Sequence, residues 1–236
     1  MTDLLLRVVL LGNLGATGPA PLMLAAPTGV RFDSVDYRNV VHWTPASNSC
    51  SLQYHVQWKI YGEPQWLDAP GCQRIHKTRC DLSAVTSDPR EWYYARVHAS
   101  CRPSGKTAWA LSPRFSPRWD TEISPPVLRL EVTKRGIVVR VKPPRLTVRK
   151  KHGDLLHEIY LIHPGGREEV FEMICCSNKL PLKRLKHNAT FCLQGQTVIP
   201  LQAKSSGRSA VNHTRQRRTF QRFSADHPSL PRQQQT

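Results

Sequence analysis

The sequence predicts an all-β fold of two tandem β-sandwiches joined by a proline-rich elbow, and three observations support that prediction. Apolar and polar side chains alternate along 54–60 and again along 93–99, which is the period of a strand with one buried face. Short strand-like runs recur in two sets, each long enough for a sandwich of about 100 residues. Several prolines, which fix φ and remove backbone donors, crowd 113–126 between the two sets.

Each set supplies the strands of one sandwich. In the first set we expect strands at 29–32, 40–43, 54–61, 66–67, 79–82, 93–99 and 107–111. In the second set we expect them at 127–132, 137–141, 159–162, 169–173, 180–185, 190–198 and 209–211. Glycines such as Gly62 and Gly136 mark turns between these runs.

The predicted organisation has five parts. They are a signal peptide at 1–26, a first domain at 27–120, an elbow linker at 121–126, a second domain at 127–215 and a basic disordered tail at 216–236. The apolar run near the N-terminus is interrupted by Arg7 and follows Asp3, so a mis-assigned first exon or a disordered leader also fits it. No other segment approaches the roughly 20 apolar residues that span a bilayer, so no membrane span is expected.

Cysteines and glycosylation sequons indicate the secretory pathway. The chain has seven cysteines, and it has sequons at Asn188 and Asn212. A disulfide between Cys72 and Cys80 is favoured over a zinc site, because structural zinc needs four ligands and no second pair is spaced to complete the set. For Cys50 and Cys101, a second bridge and two separate thiols both stay open.

The charge is strongly basic, at +17, and this favours anionic partners. A loop at 142–152 and a cluster around Arg215–Arg222 hold much of that charge. They are either a solvated loop and tail or a site for heparan sulfate. Nucleic acid is not expected, because stacking aromatics and recognition motifs are missing. No catalytic, phosphate-binding or metal motif appears, so neither an enzyme nor a cofactor is predicted.

Four motifs in the first half occur together in a known family. They are Lys59-Ile60-Tyr61-Gly62 with Trp66, Gly71-Cys72 with Cys80-Asp81-Leu82, Tyr93-Tyr94-Ala95-Arg96-Val97, and Pro113-Arg114-Phe115-Ser116-Pro117. At these motifs the chain resembles the membrane-distal domain of class II cytokine receptors. The resemblance implies two fibronectin type III domains, and it also implies the Cys72–Cys80 bridge.

In that family, loops of both domains bind a helical cytokine, and the resemblance implies an interleukin-22-like one here. Carried onto this sequence, the loops of the first domain are Lys59, Tyr61, Gly62 and Glu63, then Thr86, Ser87, Asp88, Pro89 and Arg90. Those of the second domain are Asp154, Leu155, Leu156, His157 and Glu158, then Pro200 and Leu201. From the residues alone, Tyr61 is either an anchor that inserts into a partner or a cover for the edge of the sandwich.

The resemblance therefore predicts a secreted decoy that binds the cytokine and withholds it from the signalling receptor. The ectodomain of a transmembrane receptor chain is the alternative within the family. A basic protein that binds heparan sulfate or nucleic acid is the alternative of a different class.

The second domain departs from the family at one cysteine. Relatives close the last hairpin with a cysteine at the position of Cys192 and another about twenty residues later, where this chain has His213. The resemblance thus implies that Cys192 lacks its usual partner. The adjacent Cys175 and Cys176 are alternative partners for it.

Overall fold

A computed structural model describes residues 24–45, 51–102, 105–133, 136–142, 145–174, 177–183, 185 and 189–215. The described residues form two compact units. The first is drawn from Met1–Asp33 and Asn39–Asp120, and the second from Ser34–Arg38 and Thr121–Thr236. The predicted signal peptide up to residue 23, the predicted tail, Cys50, Cys175, Cys176 and Asn188 lie outside the described residues.

The first unit is a sandwich of two antiparallel sheets. Its strands are β1 (Thr28–Val35), β2 (Arg38–Thr44), β3 (Gln53–Ile60), β4 (Leu67–Ile75), β5 (Arg79–Asp81), β6 (Tyr93–Cys101), β7 (Gly105–Lys106) and β8 (Ala110–Leu111), followed by the short helix α1 (Pro117–Asp120). One sheet has the order β1-β2-β5, and the other has the order β4-β3-β6-β7 with β8 also paired to β6.

The core of the first unit lies between these sheets and follows the alternation in the sequence. On β3 the side chains of Tyr54 and Val56 are buried, and on β6 the side chains of Ala95 and Val97 are fully buried. Trp43 from the opposite sheet packs edge-on against Tyr54 with ring centroids 5.2 Å apart. Burial of each large apolar side chain contributes roughly 1.5–3 kcal/mol, so the two amphipathic strands fix which face of the sheet points outward.

The second unit repeats the two-sheet arrangement. Its elements are β9 (Val127–Thr133), β10 (Gly136–Lys142), α2 (Leu146–Lys151), β11 (Leu156–Ile162), β12 (Glu168–Ile174), β13 (Lys179–Leu182), β14 (Thr190–Ile199), a 3-10 turn (Pro200–Gln202), β15 (Lys204–Ser205) and β16 (Asn212–Arg215). The sheets have the orders β13-β10-β9 and β12-β11-β14-β15, with β16 also paired to β14. The expected all-β fold with two sandwiches is confirmed.

The last strand of each predicted set is placed differently from the expectation. The run 209–211 is not a strand, and β16 begins at Asn212. The reason is that the Ser209 hydroxyl accepts a hydrogen bond from the backbone of Gly195 at 2.9 Å, which replaces a ladder bond between strands. In the first unit, the Thr107 hydroxyl likewise accepts a hydrogen bond from the backbone N–H of Ala99 at 3.0 Å. The predicted strand 107–111 is therefore reduced to Ala110–Leu111.

The basic run predicted as a loop contains a helix. Helix α2 occupies Leu146–Lys151, and its Val148 side chain is fully buried in a small cluster with Tyr37, Ile123, Leu155 and Ile199. Helix α2 has only six residues and no side-chain cap at its N-terminus. Neither helical periodicity nor a capping residue therefore marks it in the sequence. No helix in the described part of the chain is both long and apolar enough to cross a bilayer.

Candidate functional site

A tight turn follows β3 and presents the first predicted loop. The backbone N–H of Glu63 donates to the carbonyl of Ile60 at 3.2 Å, and the Lys59 ammonium donates to the carbonyl of Glu63 at 3.0 Å. Gly62 has φ +90°, and a positive φ at the third turn residue is the pattern of a type II turn, which favours glycine. Tyr61 therefore stands at the tip of a closed turn, with 57% of its surface exposed.

Two neighbouring side chains, Tyr94 and Arg114, lie against the Tyr61 ring and restrict its position. Its centroid lies 6.2 Å from the ring of Tyr94, and the guanidinium of Arg114 lies 5.6 Å from it. The same guanidinium sits 4.1 Å from the ring of Trp92. We call Tyr61, Trp92, Tyr94 and Arg114 together the Tyr61 surface. These contacts restrict the ring while one side of it stays open to a partner.

The second predicted loop is a rigid turn whose charges pair with each other. Asp88 accepts bonds from the backbone N–H of Arg90 at 2.9 Å and from its guanidinium at 2.7 and 3.1 Å. This pairing raises the pKa of Arg90, chiefly through the hydrogen bond. Ser87 and Arg90 are exposed and Pro89 is half-buried. Thr86 is fully buried and donates to the carbonyl of Leu82, so it supports the loop from inside.

The structure brings these two loops together. The N–H of Tyr61 donates to the carbonyl of Trp92 at 2.7 Å, so the tip of the first loop is tied to the start of β6. The Tyr93 hydroxyl donates to the carbonyl of Asp88 at 3.3 Å, which ties the second loop to the same strand. Burial of this hydroxyl raises the pKa of Tyr93 to about 12, so it stays a donor at every physiological pH.

A ladder of stacked cations and rings covers the outer face of the same sheet. The guanidinium of Arg96 lies 4.2 Å from the ring of Trp66 and 4.3 Å from that of Trp109. It also donates to the Gln57 amide oxygen at 2.6 and 2.9 Å. Burial lowers the pKa of Arg96. The ammonium of Lys59 extends the ladder over Trp66 at 5.2 Å, so the base of the Tyr61 turn is joined to it.

The predicted site residues of the second unit divide into surface and interior. Leu201 is 83% exposed in the 3-10 turn after β14, and its backbone N–H donates to the Asp154 carboxylate at 3.0 Å. Pro200, beside it, is also exposed. By contrast, Leu155 and His157 are almost fully buried. Leu155 precedes β11 and packs in the small cluster around Val148, whereas His157 lies on the inward face of β11.

The remaining two candidates of this unit, Leu156 and Glu158, are half-buried on β11. Glu158 accepts a hydrogen bond from the Tyr160 hydroxyl at 2.5 Å, and that bond is the main reason why the pKa of Tyr160 is raised. Of the predicted site residues of this unit, Pro200 and Leu201 are exposed, and the half-buried Asp154 binds the backbone of Leu201.

Three members of the Tyr61 surface were not among the predicted site residues. Trp92, Tyr94 and Arg114 lie within or beside motifs that the sequence had marked. Tyr93 and Phe115 exchange backbone hydrogen bonds at 2.7 and 2.9 Å, and this places Arg114 beside Trp92. Long-range pairing of this kind is not visible in residue spacing, although alternation along 92–96 does place Trp92 and Tyr94 on the outer face together.

The cysteines and sequons fit the predictions in part. The Cys72–Cys80 disulfide is confirmed, with Cα atoms 6.0 Å apart. Cys101 is disulfide-bonded and so is not a free thiol, while its pairing with Cys50 stays a prediction. Cys192 is a free thiol. Asn212 lies in β16, where its side chain donates to the carbonyl of Ala210, and its glycosylation stays a prediction. No group of three or more potential metal ligands occurs among the described side chains.

Comparisons with known proteins agree with this architecture. A tissue factor family model matches residues 2–109, and a model for the interferon-alpha/beta receptor fibronectin type III domain matches 121–216. The crystal structure of the chicken interferon gamma receptor alpha chain superposes with a TM-score of 0.71 over 82% of this chain and 99% of that one. At 19% identity, this likeness shows the fold alone.

Two curated relatives are similar to this chain, and the second of them is matched along enough of its length to show the family. Interleukin-22 receptor subunit alpha-1 of Bos taurus is 33% identical over 163 residues, covering 61% of this chain and 28% of that protein. Interleukin-22 receptor subunit alpha-2 of Mus musculus is 30% identical over 216 residues, covering 86% of this chain and 93% of that protein. With a relative at this identity matched along nearly its whole length, the chain belongs to the class II cytokine receptor family.

Proposed function

We propose that this receptor is secreted, binds an interleukin-22-like helical cytokine through the Tyr61 surface, and withholds that cytokine from its signalling receptor. The observation that carries the proposal is the position of Tyr61. It is a large aromatic side chain, 57% exposed, at the tip of a closed turn. The match to an interleukin-22 receptor subunit supplies the class of ligand.

The Tyr61 surface has the physical properties of an interface anchor. An aromatic ring that is already restricted loses little entropy on binding, so most of the free energy of burying it is available to the complex. The support from Tyr94 and Arg114 provides that restriction. Burial of one such ring at the centre of an interface typically contributes about 2 kcal/mol or more.

The charges near the ring favour a partner of a particular kind. The Arg114 guanidinium is exposed and touches only aromatic faces in the contacts described above. It can therefore pair with a carboxylate on a bound cytokine without breaking an ion pair of the receptor. Arg90 is different, because its guanidinium already binds Asp88. We propose that Arg114 contributes a direct polar contact and that Arg90 mainly shapes the second loop.

In the second unit we propose a separate contact at Leu201. Its side chain is 83% exposed, and the hydrogen bond from its backbone N–H to the Asp154 carboxylate restrains the turn that carries it. An exposed leucine on a restrained turn offers apolar area that a helical partner can cover. Leu155, His157 and Thr86 are buried and have supporting roles under this proposal.

The decoy role rests on the match to interleukin-22 receptor subunit alpha-2 along 93% of that protein. The direct test adds the purified, secreted protein to cells that respond to interleukin-22. We expect the protein to form a complex with the cytokine and to lower signalling in proportion to the amount of complex formed. Complex formation without loss of signalling would contradict the decoy role, and absence of a complex would contradict the choice of ligand.

A second candidate function is the ectodomain of a receptor chain that itself takes part in signalling. The observation in its favour is the 33% identity to the bovine alpha-1 subunit. The two candidates differ in what a bound cytokine can still do. If the complex of this protein with the cytokine recruits the second receptor chain in solution, the ectodomain role is favoured. If the complex excludes that chain, the decoy role is favoured.

A further inference from the structure

The first unit holds a basic groove on the outer face of its five-stranded sheet, at the opposite end of β3 from the Tyr61 turn. It is an open groove of about 720 Å³. Three cationic side chains line it, Arg74, Arg102 and Lys106, together with the imidazoles of His55 and His76. None of the described residues that line the groove is acidic.

Sheet register explains how these charges come together. Lys106 on β7 lies opposite Ser100 on β6, and Ser100 lies opposite Gln53 on β3. Arg74 belongs to β4, on the far side of β3. Neighbouring strands are about 4.8 Å apart, so the backbones of Arg74 and Lys106 are separated by roughly 14 Å across the sheet. The positive charge is therefore spread over the width of the sheet, from Arg74 on β4 to Arg102 after β6 and Lys106 on β7, rather than held at a single point.

Arg74 has an unusual backbone conformation that belongs to this groove. Tyr54 pairs with Ile75 and His55 pairs with Gln73, so Arg74 is the extra residue of a bulge in β4. Its φ is +58°, a left-handed value that is costly for a long side chain. A bulge changes the direction of a side chain at the edge of a sheet. Here the bulged residue is one of the three cations that line the groove.

The polar residues around these cations are fixed by hydrogen bonds. His55 contacts the Gln73 amide oxygen at 3.2 Å and the Ser100 hydroxyl at 3.3 Å. His76 contacts the carbonyl of Leu52 at 2.9 Å. By contrast, Arg74, Arg102 and Lys106 form no ion pair with an acidic side chain within the described part of the chain. Their charges are available to a ligand.

We propose that this groove binds a sulfated polysaccharide of the heparan sulfate class. An extended chain with repeated sulfate groups matches a row of cations in an open groove, whereas a small anion would contact only one or two of them. The imidazoles, hydroxyls and amide are suited to bond sulfate oxygens and sugar hydroxyls. Single-stranded nucleic acid fits less well, because no tyrosine, tryptophan or phenylalanine lines the groove to stack on bases.

The site proposed here differs from the basic run at 142–152 and from the cluster at 215–222, which the sequence had suggested for the same ligand class. It is also separate from the Tyr61 surface, so the receptor can bind a cytokine and a polysaccharide independently. Failure of either proposal leaves the other intact.

The test measures binding of the full chain to a heparin octasaccharide over a series of NaCl concentrations. In the double variant Arg74→Gln/Lys106→Gln we expect about tenfold weaker binding near 0.15 M salt, and a salt slope that is smaller by about two. The matched control Arg79→Gln/Arg129→Gln removes two exposed charges outside the groove. It should change the affinity by less than about threefold. The single variant Lys106→Gln leaves the bulge at Arg74 unchanged. A loss of affinity in this variant therefore cannot arise from misfolding at the bulge.

Several outcomes decide the proposal. Loss of affinity confined to the groove variants, with a desulfated octasaccharide and inorganic sulfate failing to compete, supports it. Equal loss in the Arg79/Arg129 control would overturn it, because net charge alone would then explain binding. Loss only on removal of residues 216–236 would overturn it as well. The proposal would also be overturned if a DNA oligonucleotide of matched charge bound as tightly as the octasaccharide and the groove variants weakened that binding too.

Discussion

The thiol of Cys192 lies 3.2 Å from Nδ1 of His213, and the two residues are direct partners across β14 and β16. The resemblance to the family implies a second cysteine at the position of His213, whereas here an imidazole occupies it. The strand pairing is thus retained although the covalent link is absent. Cys192 is a free thiol, so the expectation that it lacks its usual partner is confirmed.

This relationship predicts that His213→Cys restores a disulfide. The two residues already face each other on paired antiparallel strands, where Cα atoms are close enough for a bridge. Closing a loop of this length should raise the free energy of unfolding by about 2 to 4 kcal/mol. Thermal unfolding with mapping of the bridges by mass spectrometry measures both effects. His213→Ser is the control, since it removes the imidazole without adding a thiol. A His213→Cys protein with no bridge, or no gain in stability, would contradict the prediction.

The turn that presents Tyr61 depends on glycine. Because Gly62 has φ +90° and an open space where a Cβ would lie, Gly62→Ala strains only the backbone. We expect a loss of about 1 to 2 kcal/mol in unfolding free energy, and weaker cytokine binding as the turn shifts. Chemical denaturation and a binding titration measure the two effects. Gly153→Ala is the control, since its backbone is not left-handed and it also has open space. Equal behaviour of both variants would show that the turn has no special conformation.

The cation ladder predicts that Arg96 is important for stability. Arg96→Met keeps the apolar stem but removes the charge between Trp66 and Trp109 and leaves Gln57 without its donor. We expect the free energy of unfolding to fall by about 2 kcal/mol, because two stacking contacts and one charged hydrogen-bonded pair are lost. Arg79→Met, at an exposed position on β5, should cost less than about 0.5 kcal/mol. The comparison uses urea denaturation of the two variants. If they lose the same stability, the ladder contributes little.

The buried histidine of the second unit predicts a loss of stability in acid. Burial lowers the pKa of His157, so the folded state holds this imidazole neutral while the unfolded chain takes up a proton below about pH 6.5. The stability that the neutral His157 imidazole contributes is therefore present above about pH 6.5 and is lost as the pH falls further. Burial also lowers the pKa of His98 in the first unit, so this histidine changes the stability with pH in the same direction.

The measurement compares the unfolding midpoint at about pH 7.5 and about pH 5.5 for the wild type and for His157→Gln. The variant should lose less stability between the two pH values, although its stability at neutral pH is lower. His76→Gln is the control, since it removes an exposed histidine from the first unit. A dependence that is identical in all three proteins would exclude His157 as its source.

Strand identity was predictable because one buried face repeats every second residue. Tyr54, Val56, Ala95 and Val97 follow that rule, and each is buried. The errors fall where a side chain replaces a backbone partner. Ser209 and Thr107 lie in runs that were expected to be strands, yet their hydroxyls accept bonds from β14 and β6 and interrupt the ladders at those points. Such exchanges depend on which strands are neighbours, and this is a property of the folded sheet.

The resemblance selected the segments of the candidate site, and that selection stays a prediction, whereas the exposure of the residues within those segments was not predictable. Thr86 and His157 lie in the expected segments, yet both are buried. Arg114 is 53 positions beyond Tyr61 in the sequence, and only the backbone pairing of Tyr93 with Phe115 brings it to the ring. Residue spacing locates a loop, whereas the packing of the sandwich decides which of its side chains a partner can reach.

The most direct test of the cytokine-binding proposal is the affinity of Tyr61→Ala for interleukin-22. The matched control is Leu111→Ala, since Leu111 is also 57% exposed in the same unit. Titration calorimetry on both folded variants should show a loss of about 2 kcal/mol or more for Tyr61→Ala, close to a thirtyfold rise in Kd, and little change for Leu111→Ala. An unchanged Kd for a folded Tyr61→Ala protein would show that the Tyr61 surface is not where this receptor binds its cytokine.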